Sequence, residues 1–126
     1  MEKKFTALIC DDSAVVRKIM NRILSEGPFK AIHEANDGIQ AVDMYKEHRP
    51  DIVFMDIVMP GKTGLQALSE IRVLDPSARV VMASSTGTTK NLKAAIDFGA
   101  ADFIQKPFEK SAVLGLVRKI LEGEWD

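Results

Sequence analysis

The sequence predicts an α/β fold: a doubly wound parallel sheet of five strands, with five helices covering its two faces. Short apolar pulses rich in β-branched or aromatic residues recur along the 126-residue chain, and longer segments between them carry apolar residues at helical spacing. Strand alternating with helix implies parallel neighbours, because a parallel pair needs a crossover and a helix supplies one, as a rule right-handed. The first, third and fourth pulses are nearly continuous in apolar residues, as strands covered on both faces are.

Taken in order, the first strand is FTALIC (5–10), which stops at two aspartates. Ser13 is a plausible N-cap for a helix whose stripe is Val15, Val16, Ile19, Met20, Ile23 and Leu24, and Gly27-Pro28 ends it. AIHEA (31–35) mixes polar and apolar residues and reads as an edge strand. The second helix, 37–48, opens at Asp37-Gly38 and places Ile39, Val42 and Tyr45 on one side. DIVFM (51–55) is followed by a helix over 64–74 carrying Leu65, Leu68, Ile71 and Leu74. RVVMA (79–83) leads to a helix over 88–98 marked by Leu92, Ala95 and Ile96 and closed by Gly99. DFIQ (102–105) is the last strand, and Val113, Leu116, Val117, Ile120 and Leu121 mark a final helix over 109–122.

This length suits one domain spanning 1–126, with core enough to need no metal or disulfide staple. Lys and Arg number 17 against 18 Asp and Glu, so there is no strongly basic surface for nucleic acid or acidic lipid. The single cysteine, Cys10, excludes an internal disulfide and a multi-cysteine metal site, and its strand position makes it a core residue. The apolar run at 5–10 is too short for a signal segment or a membrane span, so a cytoplasmic protein is expected.

Ligands of open α/β sheets bind beyond the carboxyl ends of the strands. Those ends hold Asp11-Asp12, Asp56, Ser84 and Lys106-Pro107. Each is ordinary alone: aspartates favour helix starts and turns, a serine caps, a lysine is solvated. Together they set three carboxylates, a hydroxyl and an ammonium on one rim. Clustered carboxylates repel, and a hard divalent cation relieves them; oxygen donors alone suit Mg²⁺, whereas zinc would want the sulfur or histidine that this rim lacks. A carboxylate can also act as a nucleophile and form an aspartyl phosphate, provided the charge developing on the transferred group is neutralised.

ICDDSAVVRKIM, ANDGIQAV, PDIVFMDIVMPGKTG, VVMASS and GAADFIQKPF occur in an order and spacing that resemble response-regulator receiver domains of two-component signalling systems, in particular the stand-alone chemotaxis type. The resemblance covers essentially the whole chain. It implies the flavodoxin-like strand order 2-1-3-4-5 and a regulatory phosphoacceptor, not a turnover enzyme. Asp56 would accept a phosphoryl group from a histidine kinase and, with Asp12, ligate Mg²⁺, Asp11 being held through water and the backbone carbonyl of Val58 completing the protein ligands. Lys106 would contact a phosphoryl oxygen, with a bond to Pro107 that is often cis in the family. Ser84 and Phe103 match the hydroxyl and aromatic switch positions, although many members carry tyrosine where this chain has Phe103. The output would be the surface of the fourth helix, fifth strand and fifth helix, near Lys90, Lys93 and Lys110, read by a flagellar motor switch component or a phosphotransfer protein. Neither direct nucleic-acid binding nor membrane insertion is implied. Val58 and Thr86 flank the expected phosphoryl group at positions that vary in the family.

Two other readings compete. SSTGTT (84–89) fits the S-x-T-G-x-T phosphate loop of flavin-binding flavodoxins, but that loop follows the first strand in those proteins, and here two aspartates stand there. Only Ser84 is therefore expected at a phosphoryl group, with 85–89 a mobile connection. A haloacid-dehalogenase-type phosphatase would need D-x-D near the first strand, and Asp11 and Asp12 are adjacent instead.

Overall fold

The computed structural model describes residues 3–85 and 89–122. Five parallel strands, β1 (Phe5–Cys10), β2 (Phe29–Ala35), β3 (Ile52–Asp56), β4 (Val80–Ser84) and β5 (Asp102–Gln105), form one sheet in the order β2-β1-β3-β4-β5. Between and after them run α1 (Ala14–Leu24), α2 (Gly38–His48), α3 (Gly64–Leu74), α4 (Thr89–Asp97) and α5 (Lys110–Leu121). Both the alternation and the strand order agree with the expectation. Because the strands alternate in facing, the core splits in two: Leu8, Val53 and Met82 pack with Tyr45, Leu68 and Ile71 beneath α2 to α4, while Ile9, Phe54 and Val81 pack with Met20, Leu24 and Val117 beneath α1 and α5. Cys10 is buried, as expected, and burial followed by the nearby Asp11 charge pushes its thiol up.

Local chemistry sets the helix ends. Ser13 Oγ accepts from Val16 N at 3.2 Å, so the expected cap of α1 is made, and Asp37 Oδ1 caps α2 by accepting from Gln40 N at 2.7 Å. Thr63 and Gln66 form a reciprocal capping box on α3. Gly99, at φ 93°, ends α4 with paired bonds from Gly99 N to Ile96 O and from Ala100 N to Ala95 O, a left-handed exit that favours glycine.

The differences from expectation are local. β2 begins two residues early, at Phe29, because a buried phenylalanine precedes the exposed Lys30 that hides the strand pattern. β3 and β4 each run one residue further, so Asp56 and Ser84 are the final rungs of their strands. Within the α1 stripe, Met20, Ile23 and Leu24 are buried but Val15 is 69% and Ile19 45% exposed. The stripe is wider than the arc that the sheet covers. Likewise Ile39 of α2 and Ile96 of α4 lie outside the core. The side chains of Lys90 and Leu92, and residues Thr86, Gly87 and Thr88 of the expected connection, lie outside the described residues. Among the described residues no helix is long and apolar enough to cross a membrane.

Candidate functional site

Strand register builds the site. Cys10 of β1 pairs with Met55 of β3, so the next residues, Asp11 and Asp56, arrive side by side. Asp56 pairs with Ala83 and Ser84 with Gln105, which brings Ser84 and then Lys106 to the same rim. The rim thus gathers residues from four strands. One carboxylate oxygen from each of Asp11, Asp12 and Asp56 lies within 4.8 Å of the others, with Asp11 and Asp56 buried and Asp12 exposed. Lys106 Nζ donates to Asp11 Oδ2 at 2.6 Å and stands 3.4 Å from Asp56 Oδ2. Asp11 Oδ1 accepts from Ser13 N at 2.9 Å. Ser84 is buried, and its carbonyl accepts from Lys106 N, which ties the two residues together. The Lys106–Pro107 peptide is cis.

The electrostatics follow from this crowding. Burial pushes the Asp56 carboxyl above the usual carboxylate range; Lys106 pulls it back, Asp11 pushes it further up, and Val58 N–H stabilises the anion. For Lys106, burial acts downward, but its hydrogen bond to Asp11 and the charges of Asp56 and Asp11 prevail and raise it. Three carboxylates against one ammonium leave two negative charges unmatched, the charge of a divalent cation. The donors are all hard oxygens, so the set fits Mg²⁺ and not zinc. Beside Lys106 an open groove of about 510 Å³ is lined by Val16, Ile19, Ser85, Pro107 and Phe108. The exposed part of the α1 stripe therefore borders the reactive rim.

Two features escaped the sequence reading. Gly64 presses α3 against the end of β3: a Cβ there would lie 1.9 Å from the Asp56 carbonyl oxygen. Only the fold shows what this glycine touches. Arg17 Nη1 donates to the carbonyl of Asp11 at 2.7 Å, a contact with no signature in residue type or spacing.

The family profile of the response regulator receiver domain matches residues 7–118. The chain belongs to this family. This receiver is 46% identical over 114 residues to the chemotaxis protein CheY of Bacillus subtilis, covering 90% of this chain and 95% of that one. It is 42% identical over 114 residues to the chemotaxis protein CheY of Halobacterium salinarum, covering 90% and 94%. Among solved structures, a chain of the CheX–CheY–BeF₃–Mg²⁺ complex from Borrelia burgdorferi superposes with a TM-score of 0.88 at 39% identity, covering 93% of the receiver and 89% of that chain. The rule that ligands of open α/β sheets sit beyond the strand ends takes CheY among its own examples, so this receiver is no independent test of it.

Proposed function

We propose that this receiver, 1–126, acts as one phosphoacceptor domain in which Asp56 takes a phosphoryl group from a histidine kinase. The reading rests on one observation: three carboxylates within 4.8 Å of one another, two of them, Asp11 and Asp56, bridged by Lys106. An Asp56 carboxylate oxygen attacks the phosphorus of a phosphohistidine, an O–P bond forms as the N–P bond breaks, and the departing imidazole keeps the electron pair and takes a proton. Lys106 neutralises charge on the phosphoryl oxygens, and the Ser84 hydroxyl donates to one of them. Asp12, Asp56 and the Val58 carbonyl would hold Mg²⁺ directly, with Asp11 acting through water; when bound, the ion supplies the positive charge that lets the acidic site accept a phosphoryl group. The BeF₃ and Mg²⁺ of the Borrelia burgdorferi complex support this, since beryllofluoride imitates a phosphoryl group. The groove of Ile19, Pro107 and Phe108 offers the donor an apolar seat beside the acceptor.

The consequence is a switch. The added charge and acceptor oxygens draw Ser84 inward, and Phe103, partly buried against the core beneath α4, turns into the vacated space. That changes the α4-β5-α5 surface and shifts the population toward a form bound by a downstream protein, a flagellar motor switch component or a phosphotransfer protein. Chemotaxis relatives favour the former. Lys93 is exposed on this surface, whereas Lys110 is drawn away to Glu26 at 3.3 Å. Incubation with acetyl phosphate and Mg²⁺ should add a single phosphoryl mass to the intact protein, on the peptide containing Asp56, and Asp56→Asn should abolish it. An adduct that persists in that variant sinks the reading; repeated turnover of a phosphomonoester would favour the phosphatase.

A further inference from the structure

The β1 ladder ends at Cys10, which pairs with Ala35 of β2 and Met55 of β3. The Asp11 carbonyl lies past the last rung, where among the described residues no strand supplies a donor. It nevertheless belongs to the peptide that joins Asp11 to Asp12, so its direction sets how both carboxylates leave the backbone. Arg17, at the end of the first turn of α1, donates to that oxygen from Nη1 at 2.7 Å. Its Nε donates at 3.0 Å to Glu34 Oε1 on the edge strand β2. Glu34 Oε2 in turn accepts from Asn21 Nδ2 at 3.1 Å. The Arg17 side chain is only 18% exposed. A planar guanidinium gripped on two edges holds its orientation far better than a flexible ammonium could. Glu34 also balances its charge, so the geometry is retained without adding a free cation beside the acidic cluster.

We propose that Arg17, anchored by Glu34 and Asn21, is a positioning residue that fixes the Asp11–Asp12 peptide and so pre-forms the acidic cluster for a divalent cation. This rests on the assignment of that cluster to Mg²⁺. Groups that orient ligands without touching the metal commonly matter about tenfold or more in affinity. The sign separates positioning from simple electrostatics: deleting a nearby positive charge would by Coulomb's law tighten Mg²⁺ binding, whereas releasing the peptide would weaken it.

Isothermal titration of the full chain with MgCl₂ tests this on wild type, Arg17→Lys and Arg17→Met, with urea midpoints recorded for each. Arg17→Lys keeps the charge and loses the two-edged grip, so its Kd for Mg²⁺ should rise about tenfold, and Arg17→Met should weaken binding too despite the lost cation. Asn21→Ala, which leaves both charges in place but loosens Glu34 and so the anchor of Arg17, replaces Arg17→Met if that variant does not fold, with weaker binding again expected. Wild-type or tighter Mg²⁺ affinity in Arg17→Lys overturns the proposal whatever the other variants do. Failure of wild type itself to bind Mg²⁺ would instead remove the assignment of the cluster on which the proposal stands.

Discussion

At the scale of single residues, small chemical differences around the rim set rates and its supports set stability. Val58 follows Asp56 by two positions; its N–H stabilises the Asp56 carboxylate while its side chain is 72% exposed. An apolar group there cannot orient a hydrolytic water. Val58→Asn should therefore hasten loss of the phosphoryl group, and one added hydrogen bond of about 1 kcal/mol in the transition state corresponds to about fivefold. Exposed substitutions usually change stability within about 0.5 kcal/mol, so decay of the two purified phosphoproteins compares the chemistry directly; equal rates would show that only the Val58 backbone matters. Further from the rim, Tyr45 is buried and its hydroxyl donates to Asp75 Oδ2 at 2.7 Å. That bond, more than the Ser77 N–H beside it, holds the Asp75 carboxyl below the usual carboxylate range. A depressed folded-state value contributes stability that is complete above the unfolded value and is lost as pH falls through the folded one. Tyr45→Phe should cost about 1.5 kcal/mol at neutral pH, with the gap to wild type closing in acid below about pH 4. Urea titrations at several pH values check it, and a gap independent of pH would assign the loss to packing instead.

Secondary-structure elements carry different constraints on glycines that look alike in the sequence. Gly64 opens α3 where a Cβ would meet the Asp56 carbonyl oxygen at 1.9 Å, and Gly115 lies inside α5 with nothing within 4 Å of its Cβ position. A methyl at the first must push α3 away from the end of β3, at a cost of about 1–3 kcal/mol, and it moves Asp56 as well. A methyl at the second meets no obstacle and removes the backbone freedom that makes glycine a poor helix former, for a gain of about 0.5–1 kcal/mol. Gly64→Ala should thus lower the urea midpoint and slow acetyl-phosphate labelling, while Gly115→Ala raises the midpoint and leaves labelling unchanged. Labelling at wild-type rate in a destabilised Gly64→Ala would show that α3 does not position the acceptor. Helix spacing also explains why α1 was only half legible. Periodicity marks which side of a helix is apolar, but the width of the buried arc depends on how the sheet and α5 meet it, and that leaves Val15 and Ile19 outside the core.

For the whole molecule, the legible part was topology and the illegible part was contact. Alternating pulses and stripes dictate a wound parallel sheet, and such a sheet collects its strand ends on one rim, so Asp11, Asp12, Asp56, Ser84 and Lys106 could be grouped from the sequence. Arg17 could not, because its partners are a main-chain oxygen and a glutamate on a neighbouring strand whose start the pattern concealed. The same convergence couples the site to global stability. Of the three carboxyls Asp56 is the one held above the usual carboxylate range, by burial first, so its ionised form destabilises the folded chain relative to the unfolded one. A cation that binds only the gathered set reverses the sign: Mg²⁺ at a hundredfold over its Kd should add about 2.7 kcal/mol, roughly 10 °C in Tm for a domain of this size. Asp12→Asn should lose that response. Its metal-free Tm should stay close to that of wild type, because Asp12 is exposed and substitutions at exposed positions usually change stability within about 0.5 kcal/mol. Thermal unfolding in EDTA and in graded MgCl₂ would then give curves that start together and diverge only in wild type, and a wild-type Tm indifferent to Mg²⁺ would deny that folding assembles a cation site at all.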